Sequence, residues 1–133
     1  MTTVEILSKF QESLLPVFGL NSLENINPEY SLVKDLGADS IDFVEIIYII
    51  ERDFGVVIKT DEIVAGGINI NAEELFEDGV LTENGATLIN KNFPGHSDRF
   101  KQGITWIDLF SSLTVKDMAE IIKLKMSKEK NNV

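Results

Sequence analysis

The residues best placed to do chemistry stand together in Asp35-Leu36-Gly37-Ala38-Asp39-Ser40-Ile41-Asp42. One hydroxyl, that of Ser40, lies among three carboxylates and three positions after a glycine. The familiar catalytic patterns do not fit. Gly37-Ala38-Asp39-Ser40 is not the Gly-x-Ser-x-Gly turn of a hydrolase. Asp35, Asp39 and Asp42 would bind a divalent ion only weakly, because they lack EF-hand spacing. The chain has no cysteine, so it offers no thiolate and no disulfide. His96 is the only histidine. It lies in a polar loop without the further ligands a metal needs, and reads as a surface residue. Beyond scattered carboxylates nothing supports an enzyme. Taken alone, Ser40 reads as an ordinary helix-cap serine.

The element that must position Ser40 is the clearest in the chain. Asp39 is a good N-cap, and Asp42 follows three residues on to meet the free amides of the first turn. Phe43, Ile46, Ile47, Ile50 and Phe54 then recur as one helical stripe. Gly55 follows as a stop. The run Ile46-Ile47-Tyr48-Ile49-Ile50 has strand propensity as well, but the caps and the length favour a helix.

Before it, Thr2-Thr3-Val4-Glu5 has capping-box spacing for a first helix. Leu7, Phe10, Leu14 and Phe18 give that helix an apolar face. Pro16 should end or kink it, with Gly19 at the exit. Residues 20–38 read as a long loop with a turn at Asn27-Pro28. Leu23, Ile26, Tyr30, Leu32 and Leu36 are its expected anchors. At the other end Thr114 and Asp117 start a last helix, with Val115, Met118, Ile122 and Met126 on one face. Its end is rich in lysine, which suits the helix dipole. Glu129 to Val133 are expected to fray.

The middle has its own punctuation. Asp61 to Ala65 is expected to form one helical turn, broken by Gly66-Gly67. Asn71-Ala72-Glu73-Glu74 should start a short helix closed by Asp78-Gly79. Thr82 should cap another, running through Ile89 and Asn90 and ending before Pro94. Residues 94–103 read as loop. Thr105-Trp106-Ile107-Asp108 should start a further helix, with Trp106, Phe110 and Leu113 on one face. Leu75, Phe76, Leu81, Leu88, Ile89 and Phe93 all need burial.

The 133 residues fit one domain, and 44% apolar residues supply a core. No run is long and apolar enough to span a membrane, and the N-terminus lacks a signal-peptide pattern. Cytoplasmic residence is the default. The net charge of −10 is uneven: residues 1–63 hold 12 acidic and 4 basic residues, and residues 64–133 hold 10 and 8. An acidic surface disfavours nucleic acid and anionic membranes. It favours basic protein partners through steered encounter, although on composition alone it is a solubility surface.

The octapeptide resembles the modification site of acyl carrier proteins, in which the serine of Asp-Ser-Leu/Ile accepts a 4'-phosphopantetheine arm. Val44-Glu45-Ile46-Ile47 and Glu51-Arg52-Asp53-Phe54 also resemble helix two of that family. The order of elements matches from residue 3 to about 62, and again from about 105 to 127. The resemblance implies an all-α antiparallel helix bundle, one carrier domain over residues 1–133, with an extra helical insertion at about 64–104. It implies a covalent shuttle and not an enzyme. Ser40 would hold the covalent 4'-phosphopantetheine, whose thiol carries acyl groups as thioesters. A phosphopantetheinyl transferase would deliver the arm with Mg²⁺. Acyl-loading and acyl-accepting enzymes with basic surfaces would then meet the protein as a cytoplasmic monomer. It would bind no nucleic acid and would not be an integral membrane protein.

On this reading Asp35, Asp39, Ile41, Asp42, Glu45 and Tyr48 face partners. Glu51 and Asp53 are further candidates for salt bridges with an enzyme, where the plain alternative is a solvated helix face. For Tyr48 the plain alternative is partial core burial. Phe43, Ile46 and Ile47 would shelter the acyl chain and also serve as core. Trp106 and Phe110 would widen or cap that cavity, against the simpler role of anchoring the insertion. Arg52 stands where the family usually has an acidic residue, which dilutes the partner-facing charge. The pathway implied is fatty-acid, lipid or polyketide-type biosynthesis. Two rivals remain: an aminoacyl or peptidyl carrier, whose site usually reads Gly-Gly-x-Ser, and an unmodified interaction domain that keeps the carrier fold.

Overall fold

A helix leaves its first amides without partners, and a short polar side chain just ahead can take them up. The computed structural model describes residues 2–59, 72–92 and 100–131. Helix α1 spans Thr3–Leu14 behind Thr2, in the expected capping box with Glu5. It ends before Pro16, as the missing amide requires. Ile6, Phe10 and Leu14 are its buried apolar residues, while Leu7 and Phe18 sit at the margin. The inward face is therefore turned slightly from the predicted stripe.

Helix α2 spans Ser40–Phe54 and stops at Gly55. Phe43, Ile46, Ile49, Ile50 and Phe54 face inward, whereas Ile47 is only half-buried. Between α1 and α2 the chain runs as the predicted loop, with one 3-10 turn at Leu23–Asn25. Ile26 and Leu32 are fully buried anchors, but Leu23 and Tyr30 stay partly exposed. The loop's backbone does other work. The Tyr30 carbonyl accepts from Val115 N–H at 3.0 Å, and the Pro28 carbonyl accepts from Lys116 N–H at 2.9 Å. These bonds satisfy the start of the last helix.

The middle segment contributes α3 (Ala72–Leu75), β1 (Phe76–Glu77), β2 (Val80–Leu81) and α4 (Glu83–Asn92). Asp78-Gly79 does not close a helix. It is the turn of a small hairpin, with φ of 53° and 82°. An Asp-Gly pair at positive φ matches the twist of antiparallel strands, which explains the difference. Phe76 pairs with Leu81 and Glu77 with Val80. Thr82 caps α4 as expected, accepting from Gly85 N–H at 2.9 Å. Gly85 is required by close approach, because a Cβ there would collide with the Leu75 carbonyl. The expected turn at Asp61–Ala65, the Gly66-Gly67 break, and Phe93, Pro94 and His96 lie outside the described residues.

Helix α5 (Trp106–Ser111) starts at Thr105, and α6 (Val115–Asn131) starts at Thr114. Thr114 and Asp117 bond reciprocally, at 3.1 and 2.9 Å. The helix continues past Glu129, beyond the point where fraying was expected. α6 lies along α1, and α2 touches both. Leu75, Leu81, Ala86, Ile89 and Phe100 belong to the same core as Phe10, Ile46 and Met118. Phe76 and Leu88 are half-buried against it. The result is a mostly helical bundle, as the resemblance implies. Among the described residues no helix is long and apolar enough to cross a membrane.

Candidate functional site

Ser40 is the first residue of α2 and is exposed. Asp39 and Asp42 set the helix start around it. Asp39 Oδ1 accepts from Asp42 N–H at 2.9 Å, and Asp42 Oδ2 accepts from Asp39 N–H at 3.1 Å. Both carboxylates thus spend one oxygen on the cap and keep the other free of that bond. Gly37 precedes them at φ 74°, a left-handed conformation that disfavours a side chain, although a Cβ would meet open space. Asp35 is exposed, but one of its carboxylate oxygens accepts from Ser31 N–H at 2.7 Å. It fixes the turn that leads to Ser40 as well as adding charge.

Beside Ser40 opens a groove of about 440 Å³. Val33 and Ala38 of the loop form one side, Phe43, Val44 and Ile47 of α2 another, and Ile107, Phe110 and Ser111 of α5 the third. The rings of Phe43 and Phe110 meet at 4.5 Å between centroids and 60° between planes, a favoured tilted contact. Two expectations change here. Ile46 is fully buried in the core below and is not among the groove's lining residues. Phe110 lines the groove itself, so it does more than anchor neighbouring chain. The Trp106 side chain lies outside what is described.

The groove continues into an exposed apolar ridge. Ile41, Val44 and Tyr48 are 76%, 69% and 61% exposed. Tyr48 is therefore mostly exposed and not partly buried in the core. The three residues recur at i, i+3 and i+7, so they share one face. That spacing was visible in the sequence, as a second apolar stripe off the core stripe. Val44 and Ile107 were missed because core-seeking patterns ignore such residues. Glu45 and Glu51 are exposed on the same helix, and Asp42 is half-exposed.

Asp53 behaves differently. Its carboxylate accepts from Arg52 at 2.9 and 3.1 Å and from the Ser13 hydroxyl at 2.7 Å. Those hydrogen bonds, Arg52 first and Ser13 next, hold its carboxyl below the usual aspartate range. Asp53 ties the end of α2 to α1 and is not a free site for an enzyme's cation. Arg52 is in turn committed to Asp53 and contributes little net charge to a partner face.

Comparison with known proteins bears on the whole arrangement. A family model described as "Phosphopantetheine attachment site" matches residues 8–83. The acyl carrier protein of Karelsulcia muelleri (strain GWSS) is 39% identical over 57 residues, covering 43% of this chain and 68% of that protein. The acyl carrier protein of Nitratidesulfovibrio vulgaris (strain DP4) is 39% identical over 59 residues, covering 44% of this chain and 76% of that protein. The acyl carrier protein of Chlorobium phaeovibrioides is 39% identical over 62 residues, covering 47% and 78%. The family match begins within α1 and runs through the loop, α2, α3 and the hairpin to Glu83, so it includes the helix start and seven of the ten residues that line the groove. The chain belongs to the acyl carrier protein family, whose members are carriers on a covalent 4'-phosphopantetheine and not enzymes.

Proposed function

We propose that Ser40 is the attachment residue, and that the protein presents acyl groups to enzymes of fatty-acid, lipid or polyketide-type biosynthesis. The observation that carries the reading is the exposed Ser40 hydroxyl at the rim of an apolar groove. The arm supplies a thiol that holds acyl groups as thioesters. The chain's own residues do the rest. Ser40 fixes the point of attachment at a helix start. The α2 dipole and free amides favour a nearby phosphodiester by about 0.3–1 kcal/mol. Asp39 and Asp42 oppose that attraction, so the anion is not gripped and the arm stays free to reach partners. Each methylene sheltered between Val44, Ile47, Ile107 and Phe110 gains about 0.8 kcal/mol. Tethering then raises the effective concentration of the acyl group at a docked enzyme.

Partners of this face should be basic around an apolar patch. Ile41, Val44 and Tyr48 supply the apolar contact, and Asp35, Asp39, Asp42 and Glu45 the surrounding charge. Such charges act mainly on the rate of encounter. The first partner is a phosphopantetheinyl transferase, and cytoplasmic residence as a monomer follows the same reading. Residues 1–133 form one carrier domain in which about 64–104 are inserted, giving a partner-specific surface.

The test is an intact mass spectrum after incubation with coenzyme A, Mg²⁺ and a broad-specificity transferase. One added phosphopantetheine on the parent and none on Ser40→Ala is the expected result. Equal addition to both would move the site away from Ser40. No addition to the parent, beside a control carrier that is modified, would favour an unmodified interaction domain.

A further inference from the structure

Helix α5 forms one wall of the groove, yet its six residues are too few to hold a helix in place unaided. Leu109 and Leu113 are fully buried and fix its depth. They leave a short helix free to tilt about that axis. Two straps remove this freedom. At the C-terminal end the Ser31 hydroxyl donates to the Ser111 carbonyl at 2.6 Å, and Leu32 N–H donates to the Leu113 carbonyl at 3.2 Å. At the N-terminal end β2 bonds to the residues that lead into α5. Leu81 N–H donates to the Ile104 carbonyl and Gly103 N–H to the Leu81 carbonyl, both at 2.8 Å. Val80 bridges Thr105, the residue that caps α5. Asn90 of α4 grips Phe100, three residues before Gly103. Its side chain accepts from Phe100 N–H at 2.9 Å and donates to the Phe100 carbonyl at 2.7 Å.

We infer that the β1–β2 hairpin and α4 are a positioning element for the carried group: β2 and Asn90 hold α5, and thereby set how far the groove beside Ser40 can open. The inference rests on the acyl reading of that groove. Its consequence is selectivity. A groove whose wall is strapped at both ends shelters chains that fit and cannot widen for those that do not. Neither Asn90 nor the hairpin lines the groove, so any effect they have must travel through α5.

The experiment loads the parent, Asn90→Ala and Gly85→Ala with a series of acyl groups from butyryl to palmitoyl. Cleavage of each thioester by hydroxylamine is followed by mass spectrometry. Amide hydrogen exchange at Gly103, Leu109 and Ser112 is measured on the same proteins before loading. Gly85→Ala forces α3 and α4 apart through the Leu75 carbonyl, and Asn90→Ala serves if that variant fails to fold. The expected result is length-dependent protection in the parent. In the variants it should flatten, by about fourfold in rate for each methylene no longer sheltered. Exchange at the three amides should quicken while that of α2 holds. Faster exchange with an unchanged protection profile overturns the inference. So does unchanged exchange in both variants, or a parent without length dependence. Attachment at Ser40 is read in the same spectra and stands or falls separately.

Discussion

The groove has two kinds of wall, held by two kinds of bond. On the α2 side Asp39 and Asp42 bond each other's backbone across three residues, and Asp35 reaches Ser31 across four. These are local bonds that form wherever their own turn or helix start forms. On the α5 side the holding bonds are long-range. Ser31 meets Ser111 across 80 residues, and Leu81 meets Ile104 with the whole of α4 between them in sequence. A local cap defines one helix start regardless of the rest of the chain. A strapped helix takes its place only when distant pieces have packed. The Ser40 end is thus fixed by the helix itself, and the opposing wall by the assembly around it.

The sharpest way to break this contrast is to ask whether the two walls unfold together. Leu81 and Ile46 are both buried, at 1% and 0% exposure, in one continuous core. Leu81→Ala and Ile46→Ala should each cost about 2–5 kcal/mol. Urea unfolding followed by helical circular dichroism should show a single transition for both. A second transition in Leu81→Ala alone would make the β1–β2 hairpin and α4 an appendage.

A smaller effect tests the seam between α1 and α2. Asp53 and Glu5 titrate below their ordinary range when folded, Asp53 through Arg52 and Ser13, Glu5 through its bonds with Thr2. The unfolded chain therefore takes up those protons first as pH falls. Their stabilisation is complete at neutral pH. It fades as pH drops from about 4, the unfolded carboxylate value, through the lower folded values. Asp53→Asn should remove less than about 1 kcal/mol at pH 7, since its partner Arg52 is an exposed cation. It should also flatten the acid limb of stability against pH. An acid limb identical to the parent's would show that the seam contributes nothing.

The smallest expected change in stability falls on the ridge. Tyr48→Ala and Ile41→Ala should alter unfolding by no more than about 0.5 kcal/mol, because both side chains are mostly in water. Their effect should appear instead as slower modification by the transferase at limiting enzyme. Loss of stability without loss of rate would return Tyr48 to the core.

Much of this is legible in the sequence. Thr2, Asp39, Thr82, Thr105 and Thr114 each stand at the helix start that their hydroxyl or carboxylate predicts. Pro16 ended α1, and Ser40 lay at the head of α2. Other features were not legible. Asp78-Gly79 signals a turn in either a helix end or a hairpin, and only pairing with Leu81 and then Ile104 decided between them. Ile46 and Ile47 share one stripe in sequence, yet one lies in the core and the other in the groove. Asp53 looked like its exposed acidic neighbours until Ser13 of another helix reached it.

The sequence by itself determined the helix starts, the acidity of the first half and the motif around Ser40. Caps, charge and turn residues act over three or four positions, so their chemistry is written in neighbouring letters. Tertiary structure alone decided where α5 lies, which apolar residues line the groove and which carboxylates stay free. Those outcomes depend on contacts between residues tens of positions apart, and no local pattern records which of the available partners a side chain will meet.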